Sequence, residues 1–177
     1  MQVFKLMALL LCALLIGGCS TIEPAQYASE KPMLDLQQYF NGTLDAHGMF
    51  QDRSGKVIKR FTVLITCNWK GDVGTFDEDF TYSDGTKQKR IWTLKKIGPN
   101  QYTGSAADVV GEAEGIVAGN ALRWKYVLAL PVDGKIVNVN FEDWMYLMDQ
   151  RVLLNRASVS KYGFHVGDVT LSFNKRL

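Results

Sequence analysis

Disulfides, metal clusters and concentrated charge are all missing from this chain, and each absence narrows what it does. Only three cysteines occur in 177 residues, at positions 12, 19 and 67. Cys12 and Cys19 lie at the N-terminus, which leaves Cys67 as the free thiol of the folded part and excludes an internal disulfide. His47 and His165 are the two histidines. They fall in the first and last strand-like stretches, away from any ligand cluster, so no metal site and no cofactor are expected. The 20 Lys plus Arg and 18 Asp plus Glu, net +2, are scattered without a basic run. That excludes the concentrated patch a nucleic-acid partner needs. No apolar run approaches the roughly twenty residues of a membrane-spanning helix.

What is present begins with an export signal. Lys5 gives a positive start, Leu6 to Ile16 is apolar, and Gly17-Gly18 places small residues before Cys19. Ile16-Gly17-Gly18-Cys19 resembles a lipobox, which implies cleavage before Cys19 and acylation of its thiol. Ser20, where lipoproteins of the inner membrane of enteric-type bacteria carry Asp, implies the outer membrane. Residues 1–18 are therefore expected as signal peptide and 19–34 as acylated Cys and tether, since Thr21 to Pro32 is polar and holds Pro24 and Pro32. The attached domain then faces the periplasm, with the membrane as its partner through the lipid. No protein partner is indicated.

Residues 35–177 read as one domain, because 47% hydrophobic residues over this length supply a single core. Asp35 to Phe40 has Leu36, Tyr39 and Phe40 on one side, a short amphipathic helix. Beyond it the period becomes two. Strand-length runs alternate with Ser54-Gly55, Asp84-Gly85, Gly98-Pro99-Asn100, Gly111, Gly119-Asn120 and Asp133-Gly134, which gives about ten strands joined by hairpins. Connections this short leave no room for crossover helices. The expected fold is all-β, an up-and-down antiparallel barrel of about 8 to 10 strands, lipocalin-like, with a two-sheet sandwich as the competitor.

Several motifs in order then resemble a family. Asp84-Gly85, Asp108-Val109 with Gly111, Gly119-Asn120-Ala121 with Trp124, Glu142-Asp143-Trp144-Met145, Asn155-Arg156 and Lys161-Tyr162-Gly163-Phe164 resemble an uncharacterised bacterial lipoprotein family, domain-of-unknown-function family 3833. The resemblance covers about Leu36 to Phe173. It implies a Gram-negative lipoprotein with a β-barrel-like domain and assigns no catalytic residue.

Alternation assigns faces to the strands. Trp124 and Tyr126 share an apolar face with Leu122 and Leu128. Asp143 falls among Val139, Phe141 and Met145, and Glu78 among Phe76, Phe80 and Tyr82. Arg90 shares a parity with Trp92 and Leu94, and Arg156 with Val152 and Leu154. Charges on inward faces must pair, meet water or meet a ligand. Two readings stay open: Glu78 with Arg90 and Asp143 with Arg156 neutralise each other, or an Arg holds the carboxylate or phosphate of an apolar ligand. The expected ligand-facing set is Arg90, Arg156, Glu78, Asp143, Trp92, Trp124 and Tyr126. Cys67, between Ile65 and Trp69, reads as core, and Trp144, opposite in parity to Asp143, as outward-facing.

No nucleophile with a neighbouring base, phosphate loop or carboxylate pair stands out, because Glu78 faces away from Asp77 and Asp79. The leading functional expectation is a barrel that binds an apolar or amphipathic small molecule. The alternatives are an envelope scaffold or assembly lipoprotein, and an enzyme acting on a lipid-like substrate.

Overall fold

Hairpins with tight turns can close on themselves only if the last strand finds the first. The computed structural model, which describes residues 21–176, has that closure. The strands are β1 (Gly42–Asp52), β2 (Val57–Lys70), β3 (Val73–Tyr82), β4 (Lys87–Lys96), β5 (Gln101–Ser105), β6 (Val109–Ala118), β7 (Ala121–Val132), β8 (Lys135–Leu147), β9 (Val152–Lys161) and β10 (Phe164–Lys175). Each pairs antiparallel with its chain neighbours, and β10 returns to β1 in continuous register from Leu44↔Lys175 to Asp52↔Gly167. The fold is a closed ten-stranded up-and-down barrel, so no sheet edge is left bare. Cys12, Cys19 and the stretch expected as signal peptide lie outside the described residues.

Turn chemistry sets the hairpins. The Asp84 carboxylate accepts from the Thr86 backbone N–H at 3.0 Å and from its hydroxyl at 2.6 Å, closing the β3–β4 turn. At β7–β8, Asp133 and Gly134 take φ of 49° and 75°, the left-handed pair that a two-residue hairpin requires. One turn departs from the sequence reading. The run between the turn signals Gly98-Pro99-Asn100 and Gly111 was expected as one strand, yet β5 stops at Ser105 and residues 106–108 make the turn. Gly111 instead sits inside β6 at φ +75°, where the β6–β7 register shifts between Val110 and Glu114. A glycine bulge bends the strand without ending it.

One end of the barrel is plugged. Asp35 caps the short helix Leu36–Tyr39 by accepting from the backbone N–H of Gln37 and Gln38 at 2.8 and 3.1 Å. Its apolar side buries Leu36 and Tyr39, with Phe40 following, against the core at the end where β1 starts and β10 finishes. Phe40 stacks on Phe76 and meets Phe173 edge-on, while the Trp69 indole N–H donates to the Phe40 carbonyl at 2.7 Å. The Tyr39 hydroxyl donates to the carbonyl of Arg151 at 2.9 Å. These polar ties fix an element too short to hold a helix by itself.

The segment expected as a tether is docked on the wall. Residues Pro24–Tyr27 form a 3-10 turn against β6 and β7. Glu23 pairs with Arg123 at 2.7 Å, and the Tyr27 ring lies 5.7 Å from Trp144, its hydroxyl 3.2 Å from that of Tyr146. The Leu34 N–H donates to the Gly119 carbonyl at 2.8 Å. Gly119 is at φ +55°, and a Cβ there would lie 1.7 Å from the Tyr27 carbonyl oxygen, so only glycine permits this approach. Polar composition argued for a linker; the aromatic contacts of Tyr27 overrode it. Trp144 does point off the outer wall, and what it meets is this chain's own N-terminal segment.

Candidate functional site

Inward side chains of the ten strands, which alternate with solvent-facing ones, enclose a cavity of about 840 Å³. Leu36, Phe40, Trp92, Leu94, Trp124 and Phe173 line its plugged end, and Phe50, Phe80, Leu130, Pro131, Phe141 and Val169 line the half nearer the opposite turns. The opening lies among the β1–β2, β3–β4, β7–β8 and β9–β10 turns, where Lys59, Lys87, Val132 and Val166 reach the lining. Tyr162 and Phe164 stand at the β9–β10 turn, 85% and 76% exposed.

Trp92, Trp124 and Tyr126 all face this space. Trp92 meets Trp124 and Tyr126 edge-on at 5.9 and 5.3 Å, and Tyr126 stacks on Phe141 at 5.0 Å. The glycines opposite them make room. A Cβ at Gly115 would lie 2.3 Å from the Trp124 ring, and one at Gly104 2.6 Å from it. Small residues on β5 and β6 therefore place the large indole inward.

Amid these aromatics sits a polar cluster. Glu78 and Arg90 are direct partners across β3 and β4, with 3.8 Å between Oε2 and Nη1. The guanidinium is committed elsewhere: its Nε and Nη2 donate to Asp108 at 3.0 and 2.8 Å, a two-pronged pair, and it lies 5.3 Å over the Phe80 ring. Asp143 is 4% exposed and Asn155 5%, and the Asn155 amide donates to Asp143 Oδ1 at 2.6 Å. Three oxygens in this group, Glu78 Oε2, Asp143 Oδ2 and Asn155 Oδ1, accept no hydrogen bond from the protein.

Burial decides how these groups titrate. It pushes the Glu78 carboxyl up to about 7, with Arg90 opposing and the carboxylates of Asp108 and Asp143 adding to the rise. It pushes Asp143 up to about 6, against the hydrogen bond from Asn155 and the nearby Tyr126 hydroxyl. Tyr126 is raised well above its ordinary value, first by burial and then by Asp143. Burial likewise pushes the Cys67 thiol up, as befits a core residue.

The assigned face of Arg156 is corrected. Its side chain is 75% exposed on the outer wall, 3.7 Å from Asp168, and does not approach Asp143. The inward set on β9 is Leu153, Asn155, Ala157 and Val159. Val152-Leu153-Leu154 puts apolar residues on both parities, so the pattern did not fix the face, and a one-residue slip reverses every side chain. Asn155, diagonal to Asp143 across β8 and β9, stands where Arg156 was expected. Asp108 was also missed, because its strand was taken as continuous and its turn position escapes alternation. Both residues belong to the ordered motifs, Asp108-Val109 and Asn155-Arg156, and that was the signal available for them.

Comparison with known proteins agrees with this architecture. A phycobiliprotein lyase of S type from Guillardia theta superposes with a TM-score of 0.58 at 7% identity, over 81% of this chain and 94% of the lyase. A de novo designed fluorescence-activating β-barrel gives a TM-score of 0.46 at 13% identity, over 81% of this chain and all of the design. At 7% identity the likeness to the lyase is one of fold. No curated protein matches the sequence. The family described as protein of unknown function (DUF3833) matches residues 13–175, and the chain belongs to it.

Proposed function

We propose that this member of the DUF3833 family is an acylated lipoprotein of the outer membrane whose periplasm-facing barrel binds one apolar or amphipathic small molecule. The observation that carries the reading is the cavity of about 840 Å³, plugged at one end, open at the other and walled mainly by aromatic and aliphatic side chains. That volume lies in the range of small-molecule sites, which are apolar with a few convergent polar groups. A scaffold working through its outer surface has no need of such a space, and a core filled to ordinary density would have closed it.

Lipid attachment rests on the sequence around Cys19 and has its own test. In cells fed a clickable fatty acid, the wild-type protein is expected to carry label and Cys19→Ala to lose it; equal labelling of the two rejects the anchor. Binding is tested on the same protein isolated from its envelope under non-denaturing conditions. Native mass spectrometry is expected to show a noncovalent mass that denaturation releases. A barrel that is empty on isolation, and that also leaves Trp92 and Trp124 fluorescence unchanged on titration with twelve-carbon amphiphiles, would discard the binding reading.

A further inference from the structure

The cavity is apolar above and below its polar cluster, so any bound molecule must come to terms with that cluster. Three acceptor oxygens, on Glu78, Asp143 and Asn155, line the space without a protein donor. Two of them belong to side chains at least nine-tenths buried, Asp143 and Asn155. Each is nearly closed off from solvent, so a ligand seated in the cavity either brings donors of its own or leaves the oxygens stranded.

The charges point the same way. Glu78, Asp108 and Asp143 face one guanidinium, Arg90, and Asp108 already holds it through Nε and Nη2. The other lining cations, Lys59 and Lys87, stand at the opening, and Lys59 pairs with Asp84 at 3.1 Å. An ionised carboxylate, which only accepts hydrogen bonds, would meet acceptors and negative charge at this depth.

We propose that Glu78, Asp143 and Asn155 form the polar end of the binding site and take a hydrogen-bond-donating group, an ammonium or a hydroxyl on an apolar body, in preference to a carboxylate. This rests on the small-molecule reading above and names the class of molecule. The Asn155 amide holds one oxygen of Asp143 and leaves the other, with its own Oδ1, to accept from the ligand.

The test uses four probes of equal chain length, dodecylamine, dodecanol, laurate and methyl laurate, titrated at pH 7.5 against the mature domain and followed by tryptophan fluorescence. Dodecylamine and dodecanol are expected to bind at least tenfold more tightly than methyl laurate, which has no donor, and more tightly than laurate. Asp143→Asn and Glu78→Gln conserve shape and are expected to weaken dodecylamine about tenfold while leaving methyl laurate unchanged. Laurate or methyl laurate binding as tightly as the two donors overturns this inference alone and leaves small-molecule binding standing. So does dodecylamine affinity indifferent to both substitutions. Failure of all four probes overturns this inference, and together with a barrel empty on isolation it overturns the small-molecule reading as well.

Discussion

Replacing Arg90 by Met is expected to lower the melting temperature of the domain by roughly 6–20 °C. The substitution keeps most of the stem's volume and removes the charge that two part-buried carboxylates share, since Asp108 is bound in two-pronged fashion and Glu78 lies 3.8 Å away. Breaking such a pair from one side costs about 3–5 kcal/mol, because the carboxylates remain in the interior without a counter-charge. For a domain of this size each kcal/mol moves the midpoint by about 2–4 °C. Asp108, still 26% exposed, takes up some solvent and places the outcome toward the lower part of the range. Arg156→Met is the matched control: its side chain is 75% exposed, and its melting point is expected to stay close to wild type. Thermal melts by circular dichroism decide the matter. An Arg90→Met protein that melts with the control would mean that the guanidinium does not hold the two carboxylates together.

The second large effect is on pH dependence. Glu78 and Asp143 rise in the folded state to about 7 and about 6, from ordinary values of 4.5 and 3.8. Between these limits the folded protein keeps protons that the unfolded chain has released, so stability falls as pH rises. The window runs from about pH 4 to about pH 7. Carboxylates held low by hydrogen bonds, Asp84 by Thr86 and Asp149 by the backbone of Val152 and Arg151, contribute in the opposite sense and below this window. From pH 5 to pH 8 the expected loss is on the order of 3 kcal/mol, read as a falling urea midpoint. The doubly substituted protein, Glu78→Gln with Asp143→Asn, should show a nearly flat profile and exceed the wild type in stability at pH 8. Parallel profiles for the two proteins would place the titrating groups elsewhere.

Strand count and hairpin order were legible because each turn carries its own chemistry, as Asp84-Gly85 and Asp133-Gly134 show. Closure was expected only from the need to rid a meander of its edges, since a barrel and a sandwich share those turns, and the β1–β10 pairing bears it out. Faces were legible where one parity monopolises the apolar residues. Leu122, Trp124 and Leu128 on β7 are all buried. They were illegible on β9, where Val152-Leu153-Leu154 serves both parities, and this misplaced Arg156. Asp108 was hidden for another reason: it approaches Arg90 from a turn, and contacts between a turn and a distant strand leave no period in the sequence. The docking of Tyr27 on Trp144 and Tyr146 is likewise a long-range meeting of side chains. The composition of the segment, polar and bearing Pro24 and Pro32, describes a linker equally well.

That docked segment governs how the barrel hangs. Arg123, the third residue of β7, grips Glu23 near the plugged end of the barrel. Three residues separate Glu23 from Cys19, and the four steps between their Cα atoms reach at most about 14 Å even when fully stretched. With the lipid on Cys19, as proposed, the domain is moored by its floor on a short leash, like a cup set upright on a shelf. Its rim, with Tyr162 and Phe164, then looks away from the leaflet that holds it. On that proposal, cargo would be exchanged across the open periplasmic side, with whatever approaches the rim, instead of being drawn straight up from the lipids underneath.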